Sequence, residues 1–276
     1  MLTRSHVEAY RGPALERGDS YVYLVPHPLL LPYIPCYTLT CPVASGMTPD
    51  YTILPSASTT MIFSIGENRI DANIRGVNTV ACVVGGHARR YKMLLLIEFH
   101  PGALSPFLKL PLGEFANTSA DLKNMDRQLQ SQIEQAILSA NSVTAFQKQL
   151  DEILLRGLYW PERNPQFLEA MECIRRSRGV INGSRLSREV HYSERHLRRL
   201  FQEYLGTGVK TFSRIVRVNH AVSLLCRSRV PLEIAAGLTG YYDPSHMIRD
   251  FRECCGITPQ EYLKKMSVFY SDNYKL

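Results

Sequence analysis

The 276-residue chain lacks any run of about 18 apolar residues, so no segment reads as a membrane span. Its first twenty residues, MLTRSHVEAYRGPALERGDS, lack the apolar core of a secretory signal. Both absences lead to the expectation of a cytoplasmic protein without a membrane partner. The chain also lacks a CxxC pair, and its seven cysteines (Cys36, Cys41, Cys82, Cys173, Cys226, Cys254 and Cys255) are odd in number. That pattern supports neither a zinc ribbon nor a secreted disulfide framework, and the cysteines read as small buried hydrophobes. A nucleophile elbow, a P-loop, a dinucleotide fingerprint and an H-E-x-x-H motif are all missing, so the sequence indicates no catalytic residue and no cofactor. For a metal the candidates are His87, Glu98 and His100. Glu98 and His100 alternate along one expected strand, so both would face a barrel interior, but this falls short of a ligand set.

Excess charge is absent from most of the chain. Residues 1–164 carry 14 Lys+Arg and 14 Asp+Glu, whereas from Pro165 onward 18 Lys+Arg stand against 11 Asp+Glu. The net charge of +7 therefore resides in the final 112 residues. A local cationic excess favours a polyanionic partner and fast, salt-sensitive association.

Within that basic region, Ser193–Gly206 (SERHLRRLFQEYLG) organises the reading. Ser193 is a good N-cap, because its hydroxyl can accept from an unpaired N–H of the first turn. Glu194 suits the positive end of the helix dipole. Leu197, Leu200, Phe201 and Tyr204 recur at helical spacing, with Arg195, Arg198, Arg199 and Gln202 on the opposite side. Fifty residues later the pattern returns: Ser193, Leu197, Arg199, Phe201 and Gly206 become Asp243, Met247, Arg249, Phe251 and Gly256, and Val209 and Phe212 become Pro259 and Tyr262. One duplication points to a repeated supersecondary unit, not to a solenoid. Two capped, arginine-bearing helices in a basic domain look like paired helix-turn-helix readers.

The fold class expected is α+β in two domains. Residues 1–20 read as a loose polar arm. Strands are expected at Tyr21–Val25, Cys36–Cys41, Tyr51–Leu54, Thr59–Ile65, Val80–Val84 and Lys92–Phe99, forming a small sandwich or cupin-like β-barrel. A short helix at Leu104–Leu108 and trailing helices at Asp121–Ala140 and Val143–Leu155 complete a sensor or dimerisation domain over 1–157. A linker over 158–165 falls within GLYWPERNP. An all-α domain over 166–276 follows, with helices at Gln166–Arg178, Ser184–Val190, the first reader, Val209–Arg227, Pro231–Leu238, the second reader at Ser245–Cys255, and Glu261–Met266. The helix Val209–Arg227 would run roughly 28 Å. A turn of B-DNA rises about 34 Å, so such a rod could present a reader at each end to successive major-groove segments.

The C-terminal region resembles the AraC/XylS transcription regulators from about Phe167 to Lys265. The resemblance rests on S-x-x-x-L-x-R-x-F at Ser193–Phe201, G-x-x-x-x-x-F at Gly206–Phe212, Arg217 with Ala221 and Leu224-Leu225, and E-I-A at Glu233–Ala235. It continues in G-Y-x-D-x-S-H-x-x-R-x-F at Gly240–Phe251 and G-I-T-P-x-x-Y at Gly256–Tyr262. Val209, Tyr241, Met247 and Leu263 depart from the family's frequent residues, which puts helix ends in question. The resemblance implies two helix-turn-helix units binding adjacent major-groove segments of double-stranded promoter DNA. Its base-facing positions fall on Arg195, Arg198 and Arg199 of the first reader and on Ser245, His246 and Arg249 of the second. P-x-P-x-L-x-P-Y-I-x-x-Y at Pro26–Tyr37 and F-x-P-G-A at Phe99–Ala103 are similar to the cupin-like sensor ahead of some members, implying a small-molecule effector or a homodimer.

The arginines support DNA binding independently, because a guanidinium can donate two parallel bonds to O6 and N7 of guanine. Gln202 extends that face, while Ser193 and Asp243 are placed to cap helices and meet phosphate. With only Arg249 and small polar groups, the second reader is expected to discriminate less. The resemblance implies activation, through contact with RNA polymerase, as the expected direction of control. The rival readings are an enzyme or metal-binding cupin, and an effector-independent regulator or repressor whose N-terminal half only dimerises, through the helices in Asp121–Leu155.

Overall fold

The computed structural model describes residues 1–108, 112–158, 164–226 and 228–265. Of the expected linker, 159–163 lie outside the described residues, as do Arg227 and everything after Lys265. The chain opens with α1 (Arg4–Ala9) and β1 (Ala14–Gly18), so the first twenty residues are structured and not a loose arm. Their anchor is Val7 and Tyr10, both buried, with Leu2 donating its N–H to Ile137 O. Polar composition concealed this, because three apolar side chains suffice to fasten the segment.

Then come β2 (Tyr21–Leu24), β3 (Cys36–Thr40), β4 (Thr52–Ile53), β5 (Thr59–Ile65), β6 (Ile70–Arg75), β7 (Cys82–Val83), the short α2 (Gly85–Ala88), β8 (Met93–Phe99) and β9 (Ser119–Asp121). Seven strands make one antiparallel sheet in the order β1-β2-β3-β8-β5-β6-β9, and β4 pairs with β7 beside it. Alternation along each strand gives the sheet two distinct faces. On one, Tyr37, Leu39, Met61, Phe63, Leu95, Ile97 and Phe99 enter the main core. On the other, Thr40, Thr60, Ile62, Ser64, Leu94, Leu96 and Glu98 line a cavity. β6 and β9 were not expected from sequence. Ile70–Arg75 (IDANIR) alternates Ile70, Ala72 and Ile74 with Asp71, Asn73 and Arg75, and buries only Ala72 and Ile74.

The core face is covered by α3 (Arg127–Ser139) and α4 (Val143–Gly157). The first is shorter than expected, because Asp121 ends β9, Leu122–Asn124 forms a 3-10 turn, and the Asp126 carboxylate caps α3 by accepting from Leu129 N. Leu129, Ile133 and Ile137 of α3 and Phe146, Leu150 and Leu154 of α4 pack against the sheet in one cluster. These residues thus pack on their own sheet, while Leu138 of α3 stays exposed. Leu104–Leu108 forms turns instead of a helix, although the Leu104 carbonyl accepts from both Phe107 N and Leu108 N.

The remaining elements are helical: α5 (Pro165–Arg176), α6 (Gly183–Glu189), α7 (Glu194–Leu205), α8 (Val209–Cys226), α9 (Leu232–Leu238), α10 (Pro244–Cys255) and α11 (Pro259–Lys265). The two halves of the chain share packed interiors. Ala57 and Val77 belong to the cluster of Phe167, Leu197, Phe201 and Phe212, and Leu54 joins Val218, Val222, Phe251 and Cys254. Two hydrogen bonds cross beside them, Ala81 N to Cys254 O at 2.8 Å and Asn219 Nδ2 to Pro55 O at 3.0 Å.

Candidate nucleic-acid interface

The first reader is built outward from its cap. Ser193 is extended, and its hydroxyl accepts from His196 N at 3.2 Å, which satisfies one donor of the first turn of α7. Leu197, Leu200, Phe201 and Leu205 are buried along one side. Phe201 meets Phe167 and Phe212 edge-on, at 5.3 and 5.5 Å between ring centroids. Burying a leucine or phenylalanine contributes about 1.5–3 kcal/mol, so the helix cannot roll without losing that anchorage. Its opposite side is thereby fixed outward, and Arg195, Arg198, Arg199 and Gln202 are all exposed. None of these three arginines makes a salt bridge among the described residues. Arg199 shares a 3.3 Å contact with His196 Nδ1, while His196 Nε2 meets Gln166 Oε1 at 2.8 Å.

Ahead of α7 stands α6, and the turn between them is tight. His191 takes a positive φ of 56°, and the Ser187 hydroxyl donates to Tyr192 O. The two helices and this turn form a helix-turn-helix. At the other end of α7, Gly206 closes the helix at φ 65° and donates to Gln202 O. The same turn is approached by the 3-10 turn Leu112–Glu114, and a Cβ on Gly113 would lie 2.6 Å from Gln202 O. Residues from the N-terminal half therefore seat the C-terminal end of the first reader, the end away from its arginines.

The second reader repeats the plan with different chemistry. Asp243 caps α10, accepting from His246 N at 2.6 Å, and Pro244 occupies the first turn, where its missing N–H costs nothing. Met247, Phe251, Cys254 and Cys255 are buried, and Ser245, His246 and Arg249 are exposed. Arg252 is exposed too, and with Ser245 and Arg249 it continues one stripe at helical spacing. The expectation that Arg249 is the sole basic group of this face is thus corrected; the fifty-residue offset that pairs Gln202 with position 252 already held the signal. Tyr242, just before the cap, is 93% exposed and was likewise missed.

Between the readers, α8 spans 18 residues, roughly 27 Å. It grips α10 through Asp250, which is almost fully buried. The Asp250 carboxylate accepts from Tyr241 Oη at 2.7 Å and from Arg217 Nη2 at 3.2 Å, with Arg214 Nη1 at 3.9 Å. Arg217 also stands 4.7 Å over the Tyr241 ring. Burial and the bond to Asp250 push the Tyr241 hydroxyl well above its ordinary pKa, so it remains a donor. The sequence reading singled out Arg217 but not its partner.

The metal candidates separate. Glu98 and His87 line the cavity, but His100 lies beyond the end of β8 and is not in its wall. Among the described residues, no group of three or more His, Cys, Asp or Glu side chains is arranged to hold an ion. No described helix is long and apolar enough to cross a membrane. None of the seven cysteines forms a disulfide; burial pushes the Cys254 thiol up to about 11 and raises Cys255 as well.

Residues 186–265 match the family described as "Helix-turn-helix domain", and residues 23–121 match a domain of unknown function (DUF6597). The chain is 34% identical over 79 residues to the HTH-type transcriptional regulator GlxA of Rhizobium meliloti, covering 29% of this chain and 24% of that protein. It is 35% identical over 82 residues to the F1 operon positive regulatory protein of Yersinia pestis, covering 29% of this chain and 26% of that one. The matched stretch thus spans about a quarter of the length of these relatives. Among solved structures, a probable AraC family transcriptional regulator from Rhodopseudomonas palustris is similar at 27% identity and a TM-score of 0.33, over 37% of this chain and 97% of that one. ToxT from Vibrio cholerae superposes at 9% identity and a TM-score of 0.44, over 79% of this chain and 94% of that one.

Proposed function

We propose that this chain is a sequence-specific regulator of transcription that grips promoter DNA with both readers, a reading supported by the match of residues 186–265 to a helix-turn-helix domain and by the AraC-like motifs in the same stretch. In this reading, residues 1–157 are a sensor or dimerisation domain, 158–165 a linker and 166–276 the DNA-binding domain. Arg195, Arg198, Arg199 and Gln202 contact one major-groove segment, and Ser245, His246 and Arg249 the next. The caps Ser193 and Asp243 sit where helix N-termini meet phosphates. The single observation that carries this reading is geometric. Two capped helices, α7 and α10, both pack on α8 and present exposed arginines that form no ion pair among the described residues.

Activation, with RNA polymerase as a second partner, is the direction we favour, supported by a matched relative described as a positive regulatory protein. Control by a small molecule is supported by the cavity in the N-terminal half. Repression by an effector-independent dimer draws less support, because the buried apolar residues of α3 and α4 pack on their own sheet.

Selection of duplexes from a random pool by the full chain tests the proposal. Two half-sites about 10 base pairs apart, one helical turn, are expected. Enrichment of a single half-site, or none, would contradict it.

A further inference from the structure

The face of the sheet turned away from the main core encloses a cavity of about 140 Å³. That is the size class of an apolar cavity that admits a benzene-sized molecule. Its walls are not apolar throughout. Ile62, Leu94 and Leu96 make an apolar floor, and Glu98 and Arg75 stand in the wall as opposite charges. The strand register places Glu98 of β8 opposite Thr60 of β5, and Thr60 opposite Arg75 of β6, so all three lie in one row across the sheet. With strands about 4.8 Å apart, the two charged residues start from backbones roughly 10 Å apart.

Glu98 is only 4% exposed, yet neither Glu98 nor Arg75 makes an ion pair among the described residues. Two opposite charges held apart in one lined row, over an apolar floor, describe a receptor for a molecule that carries both complementary charges and a small apolar body.

The cavity also reaches the readers. Asn219 of α8 lines it, and the segment Leu54–Ser58 forms another part of its wall. That same segment holds α8 through Pro55 O and packs Leu54 against Val218 and Phe251. The cavity thus adjoins the backbone that seats both the reader-joining helix and the second reader.

We propose that this cavity binds a small zwitterion of the apolar amino-acid type, its ammonium paired with Glu98 and its carboxylate with Arg75, and that occupancy is transmitted to the readers through Leu54–Ser58 and Asn219. The proposal rests on the reading of the chain as an effector-controlled regulator.

The test is calorimetric titration of the full chain with L-valine, L-leucine and L-phenylalanine, and with the single-charge analogues isoamylamine and isovalerate. At least one amino acid is expected to bind one-to-one, and the analogues at least tenfold more weakly. Glu98→Gln and Arg75→Gln should each weaken that amino acid at least tenfold; the partly exposed Arg75 supplies a variant that folds if Glu98→Gln does not. Binding of a mixed-sequence DNA duplex, measured in parallel, separates the two claims. If the duplex binds but no amino acid does, or an analogue binds as tightly, or both variants bind as wild type, the effector inference falls and the DNA-binding reading stands. If the wild-type chain binds no duplex, the reading beneath it falls.

Discussion

Arg217 shows how much one side chain in this molecule can be asked to do. Its guanidinium donates to Asp250 of the second reader and lies over Tyr241, whose hydroxyl donates to the same carboxylate. A buried carboxylate with two donors and a second cation nearby is satisfied, and removing its charge leaves the arginine partly buried without a counter-charge. Asp250→Asn is therefore expected to destabilise the protein by about 2–3 kcal/mol in urea denaturation. The loss stays below the full cost of orphaning a buried ion because the Arg217 side chain is 23% exposed. An unchanged midpoint would mean that the network does not fasten α10 to α8. Among the described residues, the exposed arginines of the readers form no ion pair.

At the scale of elements, the two readers share a plan and differ in their surroundings. Both end on a glycine in the left-handed region, Gly206 at φ 65° and Gly256 at φ 71°. An alanine there costs about 1–2 kcal/mol for its backbone alone. At Gly256 the added methyl meets open space, whereas at Gly206 it meets Gly113 O and Ala116 Cβ. Gly206→Ala is accordingly expected to lower stability more than Gly256→Ala, and equal losses would show that the N-terminal half does not seat the first reader. Much at this scale was legible in the sequence. Ser193, the apolar stripe to Leu205 and the closing glycine state a helix in local chemistry alone, and the fifty-residue offset stated its copy. The strand Ser119–Asp121 was not legible, since its three residues pair with partners more than forty positions earlier, whereas Ile70–Arg75 alternates Ile70, Ala72 and Ile74 with polar residues beside its hairpin partner β5 and was legible in principle. The Asp250 partnership was hidden for the same reason, because nothing in the spacing from Arg217 to Asp250 shows that a turn brings them together. The contact of Gly113 with Gln202 joins segments almost ninety residues apart, and no periodicity reports it.

For the whole molecule, the claim is that one body presents two unequal readers to one duplex. The N-terminal half touches α7 through Gly113, α8 through Pro55 and α10 through Ala81, always at ends or sides away from the exposed arginines. The spacing of the readers is thereby tied to the sheet and its cavity. The first reader carries three exposed arginines near its cap, while the second carries Arg249 and Arg252 farther along its helix. The first is therefore expected to supply most of the sequence discrimination and the second mainly reach and affinity. The most direct measurement compares Arg199→Ala and Arg249→Ala for binding to a selected site and to single-base variants of it. Arg199→Ala should lose about 1–3 kcal/mol of discrimination at its own half-site, the contribution of one bidentate arginine–guanine pair. Arg249→Ala should weaken binding more evenly across sequences, as loss of a phosphate contact does. Discrimination unchanged in Arg199→Ala, with the loss falling on Arg249→Ala instead, would contradict the account.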